Sequence, residues 1–79
     1  MEETEIHIGN LVKKELQWQD LSISWLSRRI YRDSSNVNKM LQKSSMHTDL
    51  LLRISLVLRH NFFEEIALLL QTKLGEKLP

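Results

Sequence analysis

A chain that reverses direction several times within 79 residues usually places glycines at its turns, and this one has almost none. Glycine occurs only at Gly9 and Gly75, and the single proline is Pro79. No Asn-Gly or Asp-Gly pair and no sustained apolar–polar alternation marks a hairpin. Apolar residues recur instead at i, i+3 and i+4, the spacing of helices with one buried face. The chain therefore reads as all-α, one small domain over residues 1–79, with no repeat or low-complexity segment.

Five helices follow from the spacing. Ile8, Leu11, Val12 and Leu16 mark one face of a first, roughly residues 7–19. Ser22 is placed to cap a second, since its hydroxyl can accept a free N–H of the next turn. Leu26, Ser27 and Ile30 give that helix its inner face, and it ends near Tyr31. Asp33 is a cap candidate for a third helix, where an anion also suits the helix dipole. Val37, Met40 and Leu41 point inward from it. Thr48, with Asp49 in the first turn, opens a fourth helix with Leu50, Leu51, Ile54 and Leu58 inward. Asn61 caps a fifth, about residues 61–74, with Phe63, Ile66, Ala67 and Leu70 expected on its inner face and Leu74 continuing it. Helices two and three are separated by about three residues, so they must cross steeply, as in a helix-turn-helix unit of about residues 22–43.

The third helix is odd. "RDSSNVNKML" keeps helical spacing on its inner side, yet its outer side is Ser, Ser, Asn, Asn and Lys. Surface stability would favour Glu, Gln, Ala or Arg there. Capping accounts for some Ser and Asn near a helix start, and for those residues taken alone it is the simpler account. The charge distribution points further. Residues 1–27 carry two Lys/Arg and five Asp/Glu, a balance of −3; residues 28–60 carry seven and two, +5; residues 61–79 sum to −1. Positive charge gathers around the polar helix, where a polyanion would be met.

Composition limits the rest. Forty-two per cent apolar and 27% charged residues fit an ordinary globular domain. A chain this short buries only ~60% of its unfolded surface and has little room for a deep pocket. With no cysteine there is neither a disulfide nor a thiolate metal site, which fits a reducing cytoplasm. No apolar run reaches the length of a membrane span, and the acidic start lacks the apolar core of an export signal. A cytoplasmic location is expected.

Taken together, "SISWLSRRIYRDSSNVNKML" resembles the helix-turn-helix of the phage-repressor-like (XRE-type) DNA-binding domains. "TDLLLRISLVLRHNFFEEI" resembles the fourth and fifth helices of the same compact five-helix fold. With the leading "IHIGNLVKKELQWQDLS", the resemblance covers roughly residues 6–67. Leu26 and Ile30 stand at core positions of the family's second helix, and Ser27 takes the small residue that admits the third. Val37 and Met40 take the buried side of the recognition helix, and Asp33 its N-cap. Two positions depart: Tyr31 stands where glycine is common, because the backbone there often needs positive φ, and Arg32 replaces a usually apolar residue.

The resemblance implies sequence-specific binding of double-stranded DNA, with the third helix in the major groove and its first residues at the base edges. Ser34, Ser35, Asn36, Asn38 and Lys39 are then the base-contact candidates; Asn suits adenine N6 and N7, and Ser either base type. Ser22, Arg28, Arg29, Arg32 and Lys43 are the candidates for phosphates, which position without specifying sequence. The bland account of the arginines is surface solvation, or pairing of Arg28 or Arg29 with Glu15 or Asp20. Because no ligand-sensing domain is expected, regulation would come from abundance, competition or a partner protein.

Other chemistries find no support in the spacing. His7, His47 and His60 do not pair on one helix, so no metal site is expected. Glu64 and Glu65 are adjacent and diverge by about 100°, unsuited to a catalytic carboxylate pair. Nothing orders a Ser, His and Asp into a triad, and no glycine loop cradles a phosphate; no enzyme and no cofactor are expected. Trp18, Trp25, Phe62 and Phe63 read as core or half-buried packing. Leu68 and Leu69 leave apolar surface off the fifth helix's inner face, which points to a homodimer contact with two recognition helices about 34 Å apart. The alternative is a protein-interaction module of the same fold, such as the antitoxin of a toxin–antitoxin pair, with the leucine-rich tail and Trp25 meeting the protein partner. RNA fits less well, because the A-form major groove is deep and narrow.

Overall fold

The computed structural model describes residues 6–77, and among them it is all-helical. Residues 1–5 and 78–79, part of the single domain read from the sequence, lie outside the described residues. The elements in order are α1 (Ile8–Trp18), α2 (Ile23–Arg29), α3 (Ser34–Leu41), α4 (Thr48–Leu58) and α5 (Phe62–Lys77). The body measures 47 × 23 × 23 Å. α3 packs against α1 and α2, and α2 also against α4.

One core joins all five helices. Val12 and Leu16 enter it from α1, Leu26 from α2, Ile30 from the α2–α3 turn, Val37 and Leu41 from α3. α4 supplies Leu50, Leu51, Ile54 and Leu58, and α5 supplies Phe62. Each such side chain contributes about 1.5–3 kcal/mol by leaving water. Ser27 is the polar member at the α2–α3 contact, and its hydroxyl donates to the Ser24 carbonyl at 2.8 Å.

The start of α1 docks on the turn that follows α3. The N–H groups of Ile8 and Gly9 donate to the carbonyls of Ser44 (2.9 Å) and Lys43 (3.2 Å). His7 completes the joint: its Nδ1 accepts from the Asn10 N–H at 3.0 Å, leaving Nε2–H to donate to the Gln42 carbonyl at 3.1 Å. Four N–H groups at a helix start and four carbonyls at a helix end otherwise lack partners. The backbones come this close because Gly9 has no side chain: a Cβ there would lie 2.1 Å from the Leu41 carbonyl oxygen.

The missing turn glycines have a structural answer. Asp20, Tyr31 and Arg59 adopt positive φ (61°, 58° and 55°) at the ends of α1, α2 and α4. After each, the next N–H donates five residues back: Leu21 to Leu16 at 2.8 Å, Arg32 to Ser27 at 2.9 Å and His60 to Ser55 at 3.0 Å. This is the Schellman closure, which usually employs glycine. Three helices end alike, each on a residue that bears the left-handed conformation at a cost of about 1 kcal/mol or more.

The caps at Ser22 and Asn61 are as the sequence leads one to expect: Ser22 Oγ accepts from Trp25 N–H and Asn61 Oδ1 from Glu64 N–H, both at 3.0 Å. Asp33 holds the cap position of α3 without capping, because its carboxylate takes the Ser35 hydroxyl instead. Two packing expectations are overturned. Trp18 is 85% exposed at the end of α1, not core. On α5 the expected inner face holds at Phe63 and Ile66, which pack half-buried against the core beside buried Phe62, and fails beyond them, where Ala67, Leu70 and Leu74 are exposed.

Gly9→Ala should therefore cost about 3 kcal/mol, the upper end for overpacking, because the obstacle is backbone. At roughly 4–8 °C per kcal/mol the midpoint of thermal unfolding falls by more than about 10 °C. Gly75→Ala, with nothing within 4 Å of the new methyl, is the control and should not destabilise. Arg59→Gly should raise stability by about 1 kcal/mol, through relief of the left-handed residue. A loss of stability in chemical denaturation would show that the strain at Arg59 is smaller than the unfolded-chain entropy that glycine adds.

Candidate nucleic-acid interface

Burial of Val37 and Leu41 fixes which side of α3 faces out. Ser34, Ser35, Asn36, Asn38 and Lys39 are all exposed. They are not equally free to bind. Ser34 Oγ lies 2.9 Å from Ser27 Oγ, so its hydroxyl is tied to α2. The Ser35 hydroxyl donates to Asp33. Neither Asn36 nor Asn38 makes a side-chain hydrogen bond among the described residues, so both carboxamides retain their donors and acceptor.

The expected phosphate contacts divide into groups. Ser22 is exposed at the start of α2, its hydroxyl used as the cap. Arg28 and Arg29 form the last turn of α2, and the Arg29 guanidinium lies 4.7 Å over the Trp25 ring. Pairing of either with Glu15 or Asp20 is not found: Glu15 accepts from Gln19 Nε2 at 2.8 Å and faces His60 Nδ1 at 3.4 Å. Arg32 and Lys43, eleven residues apart, are brought together with Asn36 on the wall of one open cleft of about 700 Å³.

That cleft also holds residues the sequence reading passed over. Arg53 comes from α4, and His47 and Ser45 from the α3–α4 connection. Arg53 had a signal: it sits between inward Leu51 and Ile54 but off their stripe, on the outer side of the helix. What the pattern lacked was the packing of α3 and α4 on α2, which leaves that side on the same cleft as Arg32. His47 stands at the N-cap position of α4 and gives it no side-chain hydrogen bond. Asp49, in the same cleft, spends one carboxylate oxygen on the Leu50 N–H at 2.9 Å.

The electrostatics are lopsided. Arg28, Arg32, Lys39, Lys43 and Arg53 are exposed, and none forms an ion pair among the described residues. Glu15 and Glu65 instead converge on His60, with Glu65 2.9 Å from Nε2. Such unpaired surface cations add little to folding and remain available to an anionic ligand. Leu68 and Leu69, the proposed dimer residues, lie on α5 away from this cleft, 58% and 36% exposed. No described helix is long and apolar enough to cross a membrane. Comparison with protein-family models, curated proteins and solved structures found no match to the chain.

Proposed function

We propose that this protein binds double-stranded DNA in a sequence-specific manner, laying α3 in the major groove, and regulates transcription without catalysis or a cofactor. The observation that carries the reading is the outer face of α3. Two carboxamides with no side-chain hydrogen bond among the described residues stand there, beside cations that form no ion pair among them. Asn36 and Asn38 suit bidentate bonds to adenine, each good pair giving ~1–3 kcal/mol of discrimination. Lys39 reaches a base edge or a phosphate, while Arg28, Arg32 and Lys43 grip the backbone and Arg53 joins them. Ser35 and Ser34 contribute after exchanging their present hydroxyl bonds for bonds to DNA. The resemblance to phage-repressor-like domains and the joint of α2 and α3 through a four-residue turn, Ile30–Asp33, support the same assignment. Action on DNA accords with the expected cytoplasmic location.

The rival reading is a protein-interaction module, and the exposed leucines of α5 favour it. Fluorescence anisotropy on a random-sequence duplex at about 50 and 200 mM salt separates the two. DNA binding should weaken at least about tenfold across that range, given several phosphate contacts. Arg32→Gln, Lys43→Gln and Arg53→Gln should each lower the log–log salt slope by about 1. On an operator selected from a random library, Asn38→Ala should cost about 1–3 kcal/mol and relax specificity at one position. Absence of binding at low salt, from a folded protein, refutes the proposal and directs attention to α5.

A further inference from the structure

A serine hydroxyl has a single proton, and the contacts of Ser27, Ser34 and Ser35 show where each one goes. Ser27 Oγ lies 2.8 Å from the Ser24 carbonyl oxygen, which can only accept, so the Ser27 proton points there. Ser27 Oγ also lies 2.9 Å from Ser34 Oγ. With the Ser27 proton committed, Ser34 is the donor of that pair. Ser27 is 3% exposed, so solvent does not compete for its proton. The Ser35 hydroxyl is committed as well, to the Asp33 carboxylate. What Asp33, Ser34 and Ser35 present on the exposed side of the turn is therefore oxygen lone pairs, with no hydroxyl proton left to give. Asn36 and Asn38 differ, since each carboxamide offers both a donor and an acceptor.

We infer that Ser34 and Ser35 select a base with an amino group, adenine or cytosine, on the strand they face, and that buried Ser27 is the positioning residue that fixes this polarity. The inference rests on the DNA reading and narrows it. In the major groove the base-edge donors are adenine N6 and cytosine N4, whereas guanine and thymine present the acceptors N7, O6 and O4. Every base pair has one such amino group, so the selection is between strands. Reversing A·T to T·A, or C·G to G·C, carries the amino group across the groove and leaves a keto oxygen in its place. Acceptors facing that oxygen make no bond, and both sides are desolvated without a partner. To donate to it, Ser34 has to abandon Ser27, or Ser35 Asp33. To accept from an amino group, neither moves. The Asp33 carboxylate favours the same edges, since it suits cytosine N4.

Operator selection from a random library, with the native protein, Ser34→Ala and Ser27→Ala, tests this, circular dichroism confirming that each variant is helical. The native operator should carry adenine or cytosine at one position. Exchanging the two bases of that pair between strands should weaken native binding about tenfold. Ser34→Ala should lower that factor to about threefold or less, at that position alone. Ser27→Ala, a buried change, frees the Ser34 proton to turn outward and should lower it equally. Affinity for random-sequence duplex and its salt dependence should stay unchanged in Ser27→Ala, whereas a loosened α2–α3 contact would alter them. A native preference for guanine or thymine at the position that Ser34→Ala affects overturns the inference. So does a preference that survives Ser27→Ala or, should that variant not fold, one that survives Ser34→Ala. Absence of binding to any duplex at low salt refutes the DNA reading itself. Binding without the amino preference leaves that reading standing and overturns this inference alone.

Discussion

The carbonyl groups of Gln42, Lys43 and Ser44 hold the molecule in register, because the start of α1 supplies donors to all three. α3 has eight residues, well short of a length that is stable alone. It is further weakened by serines and asparagines, which bond their own backbone and favour caps and turns over helix interiors. Its helicity comes from outside: Val37 and Leu41 are buried to 0% exposure, and the turn that follows it, Gln42 to Ser44, docks its carbonyls on the start of α1. The whole arrangement depends on one absent methyl group. Any residue larger than glycine at position 9 would hold the two termini apart.

That imported stability explains how the outer face of α3 can be chemically open. A surface helix supported by its own propensity would need Glu, Lys, Ala and Gln there. α3 does not need them, since its inner face and its end are secured by α1 and α2. The same division of labour runs through the charges. Glu15 and Glu65 are drawn into the His60 cluster that ties α1 to the α4–α5 turn, while Arg28, Arg32, Lys39, Lys43 and Arg53 form no ion pair among the described residues. Residues that build the fold and residues offered to a ligand are almost separate sets. Ser34 is an exception, since its hydroxyl is shared with buried Ser27.

Much of this was legible in the residue pattern, and the parts that were not have identifiable causes. Helix number and most of the core followed from periodicity, and Ser22 and Asn61 acted as caps because their short side chains reach back to the next turn. The inner face of α5 was drawn too long because "FFEEIALLL" is apolar at most positions; only tertiary packing shows that α5 meets the core at Phe62, Phe63 and Ile66 and leaves it from Ala67 onward. Trp18 was read as core or half-buried on side-chain type alone, although the chain turns away one residue after the helix ends. The Arg32–Lys43–Arg53 cleft joins three segments far apart in sequence. No local rule brings them together; the packing of α3 and α4 on α2 does.

The turns show the converse, a sequence oddity whose meaning needed coordinates. A chain nearly free of glycine closes three helices with the same left-handed device, on Asp20, Tyr31 and Arg59. Glycine at those places would relieve strain, but it would also loosen the unfolded chain and so return part of the gain. Tyr31 is the hardest of the three to account for by stability. An aromatic residue in the left-handed region is unfavourable, and at 90% exposure it recovers nothing by packing. It sits between Arg28 and Arg32, beside the start of α3. What the strain secures is the closure of α2, where the Arg32 N–H reaches the Ser27 carbonyl, and that turn sets the angle at which α3 leaves α2.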